Sequence, residues 1–161
     1  MNPRPAPDFH VTRWLNTPSA PELLTLKGRV VMILAFQMLC PGCAVQALPQ
    51  ARRVRTLFKE EDLMVLGLHT VFEHHEAQGP EAALKAFLHE HRIDFPVGID
   101  APGDNAAALP LTMQHYRMQG TPTLILLDRL GHIRKHRFGH TEDLLLGAEI
   151  MSLIQEPPQH D

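Results

Sequence analysis

The chain has 161 residues, 44% hydrophobic and 20% charged, the balance of a globular protein rather than a disordered one, and the sequence predicts a single domain over residues 1–161. With 15 Lys and Arg against 18 Asp and Glu the formal charge is -3, and the basic residues are scattered except for Arg52, Arg53 and Arg55, so no nucleic-acid partner is expected. A domain of this size buries roughly two-thirds of the surface its unfolded chain exposes, so the two cysteines are not needed as a staple and are free for chemistry.

Residues 1–7 alternate prolines with polar or small residues and carry no apolar run, which excludes a secretory signal or a membrane anchor there. Residues 1–24 are expected to form a flexible or weakly ordered arm, with a weak edge strand over 8–13 and a proline-rich connection through Pro18 and Pro21. With Met1 as the natural start the expected location is cytoplasmic, with no membrane partner. In that reducing compartment a close cysteine pair is redox-active or metal-binding rather than structural.

Residues 30–36 are a continuous apolar, β-branched run after Lys27-Gly28-Arg29, the pattern of a central strand buried on both faces. The cysteine pair follows at once. From Gly42 to about Glu60 the apolar residues Val45, Leu48, Val54, Leu57 and Phe58 recur at near-helical spacing, which predicts a helix kinked at Pro49. A second buried strand is predicted over 63–68. The segment from His69 to Glu76 reads as a loop at that strand's end.

Pro80 opens an amphipathic helix with Ala83, Leu84, Phe87, Leu88 and His91 on one stripe and Glu81 four residues before Lys85. A short strand over 95–99, a turn-rich loop over 101–111 and a short helix near 112–118 come next. Residues 124–127 and 133–138 form a hairpin across Asp128-Arg129-Leu130-Gly131. Thr141 is the expected N-cap of the last helix, with Leu144, Leu145, Ala148, Met151 and Ile154 toward the sheet. The order implies an α/β fold, a central mixed sheet with helices on both faces.

A thiol attacks as thiolate, and a free cysteine is mostly protonated at neutral pH. Cys40 falls where a buried strand gives way to a helix, so unpaired first-turn N–H groups and the helix dipole can stabilise negative sulfur there. Pro41 suits the first helical position because it needs no N–H partner. The three-residue offset puts Cys43 one turn further in and more buried, the place of a resolving thiol. Two cysteines acting only as small apolar core residues are the plain alternative. Structural zinc needs about four ligands, and no second cysteine pair or finger-spaced histidines accompany this one.

Residues 30–43 with Pro49 behind them, and Gly120-Thr121-Pro122-Thr123 much later, resemble the thioredoxin superfamily. The stretch between them resembles the insertion of its TlpA-like and redoxin branch, and residues 128–133 resemble that branch's hairpin. The resemblance covers about residues 25–155. It implies a thioredoxin-like fold and a thiol–disulfide oxidoreductase without a cofactor or metal. It assigns catalysis to Cys40, Cys43 and a cis proline at Pro122, and substrate contact to Leu39, Pro41, Gly42 and Thr121, whose backbone pairs with an extended segment.

Partners would be protein or small-molecule disulfides or dithiols, with a reductase or thiol donor to recycle the pair. The family usually has Trp where Leu39 stands, and a buried acid where Leu34 stands. Glu73 and His69 are therefore the candidate proton acceptors. A peroxiredoxin-like thiol peroxidase is the alternative function, although its motif would need Pro and Thr where Ile33 and Gln37 stand. A metal-binding or delivery module using Cys40, Cys43 and a histidine is the third. The other histidines, His74 and His75 included, read as surface residues.

Overall fold

The computed structural model describes residues 3–157. In chain order the elements are β1 (Arg4–Pro5), β2 (Val11–Leu15), α1 (Leu23–Leu26) and β3 (Val30–Phe36), then a π turn (Cys43–Ala47) running into α2 (Leu48–Leu57). There follow β4 (Leu63–His69), α3 (His75–Gln78), α4 (Glu81–Glu90), β5 (Val97–Asp100), α5 (Leu111–His115), β6 (Thr123–Leu127), β7 (His132–Phe138) and α6 (Asp143–Gln155). The strands form one mixed sheet in the order β1-β7-β6-β3-β4-β5-β2. The pairs β3–β4 and β4–β5 are parallel, and β2–β5, β3–β6, β6–β7 and β1–β7 are antiparallel.

Strand β3 is central because every one of its residues is apolar and buried. Its side chains alternate between two cores, as strand geometry requires. Val30, Met32, Leu34 and Phe36 join α2, α4 and α6 through Leu48, Leu84, Leu88, Leu146 and Ile150. Val31, Ile33 and Ala35 join Leu26, Met113, Tyr116, Ile125 and Leu127 on the other face. Each large side chain removed from water in this way contributes about 1.5–3 kcal/mol. Gly67 in β4 is required by close packing, since a Cβ there would sit 3.0–3.3 Å from Val97, Phe95 and Phe36.

Several sequence expectations are corrected. Of the expected flexible arm, residues 1–2 lie outside the described residues, and residues 4–5 and 11–15 are sheet strands instead. Main-chain pairing holds them: Ala6 donates to the Gly131 carbonyl, Ala101 donates to the His10 carbonyl, and the Tyr116 hydroxyl donates to the Pro7 carbonyl. The edge strand thus starts three residues later than the alternation at 8–13 suggests.

The helix after Cys40 is interrupted by a π turn rather than simply kinked. Pro49 has no N–H and its ring would meet the carbonyl four residues back, and the chain responds with a wider turn in which Leu48 N–H donates to the Cys43 carbonyl. The extra residue changes the helical phase, so Val45 is exposed at 74% instead of facing the core. Leu57 is also exposed, at the last turn.

In α6 the N-cap is Glu142, not Thr141, which is buried with its hydroxyl unpartnered. Leu146, Ile150 and Leu153 form the buried face, while Leu144, Leu145, Ala148 and Met151 are exposed. Residues 143–154 are apolar on more than one side, so hydrophobic spacing alone does not select the face. The Gln50 and Arg53 bonds to Asp143 and the ion pairs from Arg137 and Arg134 to Glu149 and Glu156 fix it.

Candidate active site

The end of β3 carries the site. Beyond Phe36 the chain stays buried through Gln37 and Met38 and surfaces at Leu39, which is 55% exposed. Cys40 is half-buried and Cys43 is fully buried. Both are free thiols with their sulfurs 2.7 Å apart, and the Cys43 N–H donates to Cys40 Sγ at 3.3 Å. The expected offset of one helical turn is therefore present, with the more accessible sulfur first.

A second loop meets them from β6. The Thr121–Pro122 peptide bond is cis, and the Cys40 thiol lies 3.6 Å from the Thr121 carbonyl oxygen as its hydrogen-bond acceptor. Gly42 lies against the same loop, since a Cβ added there would be 3.7 Å from Pro122 Cδ. Strand β7 supports the loop from behind: Gly139 N–H donates to the Pro122 carbonyl at 2.8 Å, and Phe138 packs over Gly120, where a Cβ would come within 2.8 Å of the ring. Thr123 closes the turn by donating its hydroxyl to the Gly120 carbonyl at 2.7 Å. Leu39 and Pro41 are exposed, and Gly42, Thr121 and Pro122 are half-buried, so these five rim the half-buried Cys40 sulfur.

Burial pushes the Cys43 thiol up to about 12, with the neighbouring Cys40 adding to the rise. Hydrogen bonds from the Gln37 backbone and the Thr121 side chain act in the opposite direction. Desolvation dominates because charge is disfavoured in an apolar surround. Leu34, in the position where the family can have an acid, is buried among apolar neighbours.

The two candidate proton acceptors lie elsewhere. His69 is the last residue of β4 rather than part of a loop and is 2% exposed. Burial lowers its pKa to about 4, and its Nε2 accepts the Met38 N–H at 3.3 Å. The ring is therefore neutral with its proton on Nδ1, and its bonded nitrogen faces the backbone ahead of Cys40. Glu73 is exposed, and it is its main chain that is engaged: its N–H donates to Gln37 Oε1 and its carbonyl accepts from Gln78 Nε2. Among the described residues neither side chain is bonded to a cysteine sulfur, and no three His, Cys, Asp or Glu converge on a point that could hold a metal.

Sequence reasoning missed Gln37 and Gln78, each 1% exposed. Gln37 carries a signal in retrospect: a large polar residue directly after a seven-residue buried run must find partners inside. Gln78 carries none, because its partners Gln37 and Leu39 lie on a segment remote in sequence.

A mixed sheet of this order, with a Cys-x-x-Cys turn at the end of its central strand and a cis X–Pro loop beside it, is a thioredoxin-like fold. A crystal structure of a thioredoxin-like superfamily protein superposes with a TM-score of 0.92 at 51% identity, over 97% of this chain and 99% of that one. The thiol–disulfide isomerase from Corynebacterium glutamicum gives 0.89 at 42% identity, over 95% and 97%. StoA from Bacillus subtilis gives 0.66 at 19% identity over 92% and 99%, a likeness of fold alone. No curated protein matches the chain in sequence. The chain is an enzyme of the thiol–disulfide oxidoreductase class. It belongs to the redoxin family, whose model matches residues 2–143.

Proposed function

We propose that the protein exchanges two electrons with a partner disulfide or dithiol through Cys40 and Cys43. The observation that supports this most directly is the asymmetry of the pair: Cys40 is accessible and Cys43 is buried and held as thiol at neutral pH. In the reducing direction Cys40 Sγ, as thiolate, attacks one sulfur of the partner disulfide. The partner's S–S bond breaks, a mixed disulfide forms, and the departing partner sulfur takes up a proton. Cys43 Sγ then gives up its proton and attacks Cys40 Sγ, forming the Cys40–Cys43 bond and releasing the second partner sulfur. The partner gains two electrons and two protons, and the pair is oxidised. A reductase or small thiol donor returns it, and the same steps run backward oxidise a dithiol.

Thr121 and Pro122 form the other wall of the cleft, where the main chain of Thr121 can pair with an extended partner segment and Leu39, Pro41 and Gly42 contact it. In this reading His69 and Glu73 are not proton acceptors, since neither is bonded to a sulfur.

Cys43→Ser tests the proposal. Attack by Cys40 remains possible and resolution is lost, so a mixed disulfide should accumulate and release its partner on reduction. Cys40→Ser should trap nothing. Equal yields from both variants would refute the assignment. Rapid peroxide-driven sulfenic acid at Cys40 with no trapped partner would indicate a peroxidase instead.

A further inference from the structure

Gln37 is buried at the meeting point of three chain segments. Its Oε1 accepts hydrogen bonds from Phe72 N–H at 3.1 Å, Glu73 N–H at 3.3 Å and Gln78 Nε2 at 3.0 Å. Three donors around one atom fix which end of the amide is oxygen. The other end, Nε2, then points at Thr121 Oγ1 and donates to it at 3.3 Å. The main chain of Gln37 serves the pair as well: its carbonyl accepts the Cys40 N–H at 3.1 Å. Gln78 extends the lattice by accepting the Leu39 N–H on Oε1 at 3.1 Å.

We propose that Gln37 is a positioning residue for disulfide exchange, whose amide holds Thr121, and with it the cis-proline loop, in register with the Cys40 sulfur. Thr121 is the shared element: its carbonyl accepts the Cys40 thiol and its side chain takes the Gln37 bond. Nothing else among the described hydrogen-bonding side chains reaches both the segment behind Cys40 and the loop in front of it. The 70–78 segment anchors the amide from behind, through the Phe72 and Glu73 N–H groups and Gln78 Nε2. The inference rests on the exchange reaction proposed above and assigns no chemistry to Gln37 itself.

A double-mutant cycle tests it. The reading is the second-order rate constant at which the pre-reduced protein is oxidised by insulin disulfides, alongside the thermal midpoint. Gln37→Leu removes the amide at similar volume, and Thr121→Val removes the hydroxyl that accepts from it. Each should lower the rate constant by about tenfold, the kinetic equivalent of one hydrogen bond. Because the Gln37–Thr121 bond is lost in either case and is the one that acts on the rate, the double variant should be no slower than the slower single.

Gln50→Leu is the control. Gln50 is equally enclosed at 3% exposure and donates to the Thr141 carbonyl and Asp143 on another part of the fold, so it should lower the midpoint and leave the rate constant unchanged. Should Gln37→Leu fail to fold, Thr121→Val is compared with Thr121→Ser, which keeps the acceptor oxygen and should keep the wild-type rate constant; an equal loss in the two Thr121 variants would overturn the proposal. Multiplying losses in the double variant, a wild-type rate in the Gln37 variant, or an equal rate loss in Gln50→Leu would each overturn the proposal. The exchange reading stands or falls separately, on whether Cys43→Ser traps a partner.

Discussion

Acidification should destabilise the protein through His69. The ring is neutral in the folded state because burial lowers its pKa from 6.5 to about 4, and its Nε2 is occupied as acceptor for the Met38 N–H. A proton on that nitrogen would set donor against donor and leave a charge in the core. Between the two values the unfolded chain binds a proton that the folded chain does not, so stability falls as pH falls. It is complete above about pH 6.5, declines down to about pH 4, and is flat below.

The gap between the two values, at about 1.4 kcal/mol per pH unit, sets an upper bound of about 3.5 kcal/mol. Urea denaturation of the wild type and of His69→Gln at steps from pH 7.5 to 3.5 isolates this contribution, because the other titrating groups are common to both and largely cancel. The stability difference between the two proteins should shrink by up to about 3.5 kcal/mol over that window. A difference that stays constant, or that grows toward low pH, would refute the placement of a neutral His69 behind the cysteine loop.

Two further outcomes follow from the packing and electrostatics. Since Cys40 contributes to the high pKa of Cys43 by hydrogen bonding and by charge, the Cys43 titration midpoint should be lower in Cys40→Ala than in the reduced wild type, read by carbon-13 NMR of the cysteine Cβ; an unchanged or higher midpoint would mean that burial acts alone. Gly67→Ala places a methyl 3.0–3.3 Å from Val97, Phe95 and Phe36, and such overpacking should cost about 1–3 kcal/mol in urea denaturation, whereas an unaltered midpoint would show that the core there is looser than described.

The parts of this fold written in local pattern were legible from the sequence, and the parts set by tertiary partners were not. Strand β3 is apolar at every position and can only be a buried central strand, and the Asp128-to-Gly131 turn specifies its hairpin through Asp128 Oδ1 accepting from Leu130 N–H and His132 N–H. Glu81 and Lys85 pair at 2.7 Å, as their spacing in a helix requires. The cysteine turn was legible from its place between a buried strand and a helix, whereas the cis Thr121–Pro122 bond came through the family resemblance, because spacing alone says nothing about an isomer.

By contrast, β2 and β1 are strands only because β5 and β7 offer edges to them. The face of α6 depends on ion pairs with β7, and the position of Val45 depends on the π turn that Pro49 imposes. His69 looked like a loop residue because the apolar run stops at Leu68. The strand continues one residue further since His69 pairs with Ile99 and Phe36 and is desolvated there.

Leu34 supplies no acid beside the pair, so in the proposed exchange the second thiol is readied by other groups. Burial is the largest influence that raises Cys43, and two lesser ones come from Cys40: its hydrogen bond and its charge. In the exchange proposed above, both end when the Cys40 sulfur enters a mixed disulfide and is neither a charge nor a thiol. The hydrogen bonds from the Gln37 backbone and the Thr121 side chain, which favour the Cys43 thiolate, do not depend on the state of Cys40. While Cys40 is free, Cys43 is therefore held protonated and does not compete for the partner. Once Cys40 is spent, the balance at Cys43 moves toward thiolate, beside the sulfur it must attack. The pair titrates as a unit, and in that exchange the loss of the Cys40 contribution lowers the cost of forming the Cys43 thiolate at the step where it attacks, while burial continues to oppose it.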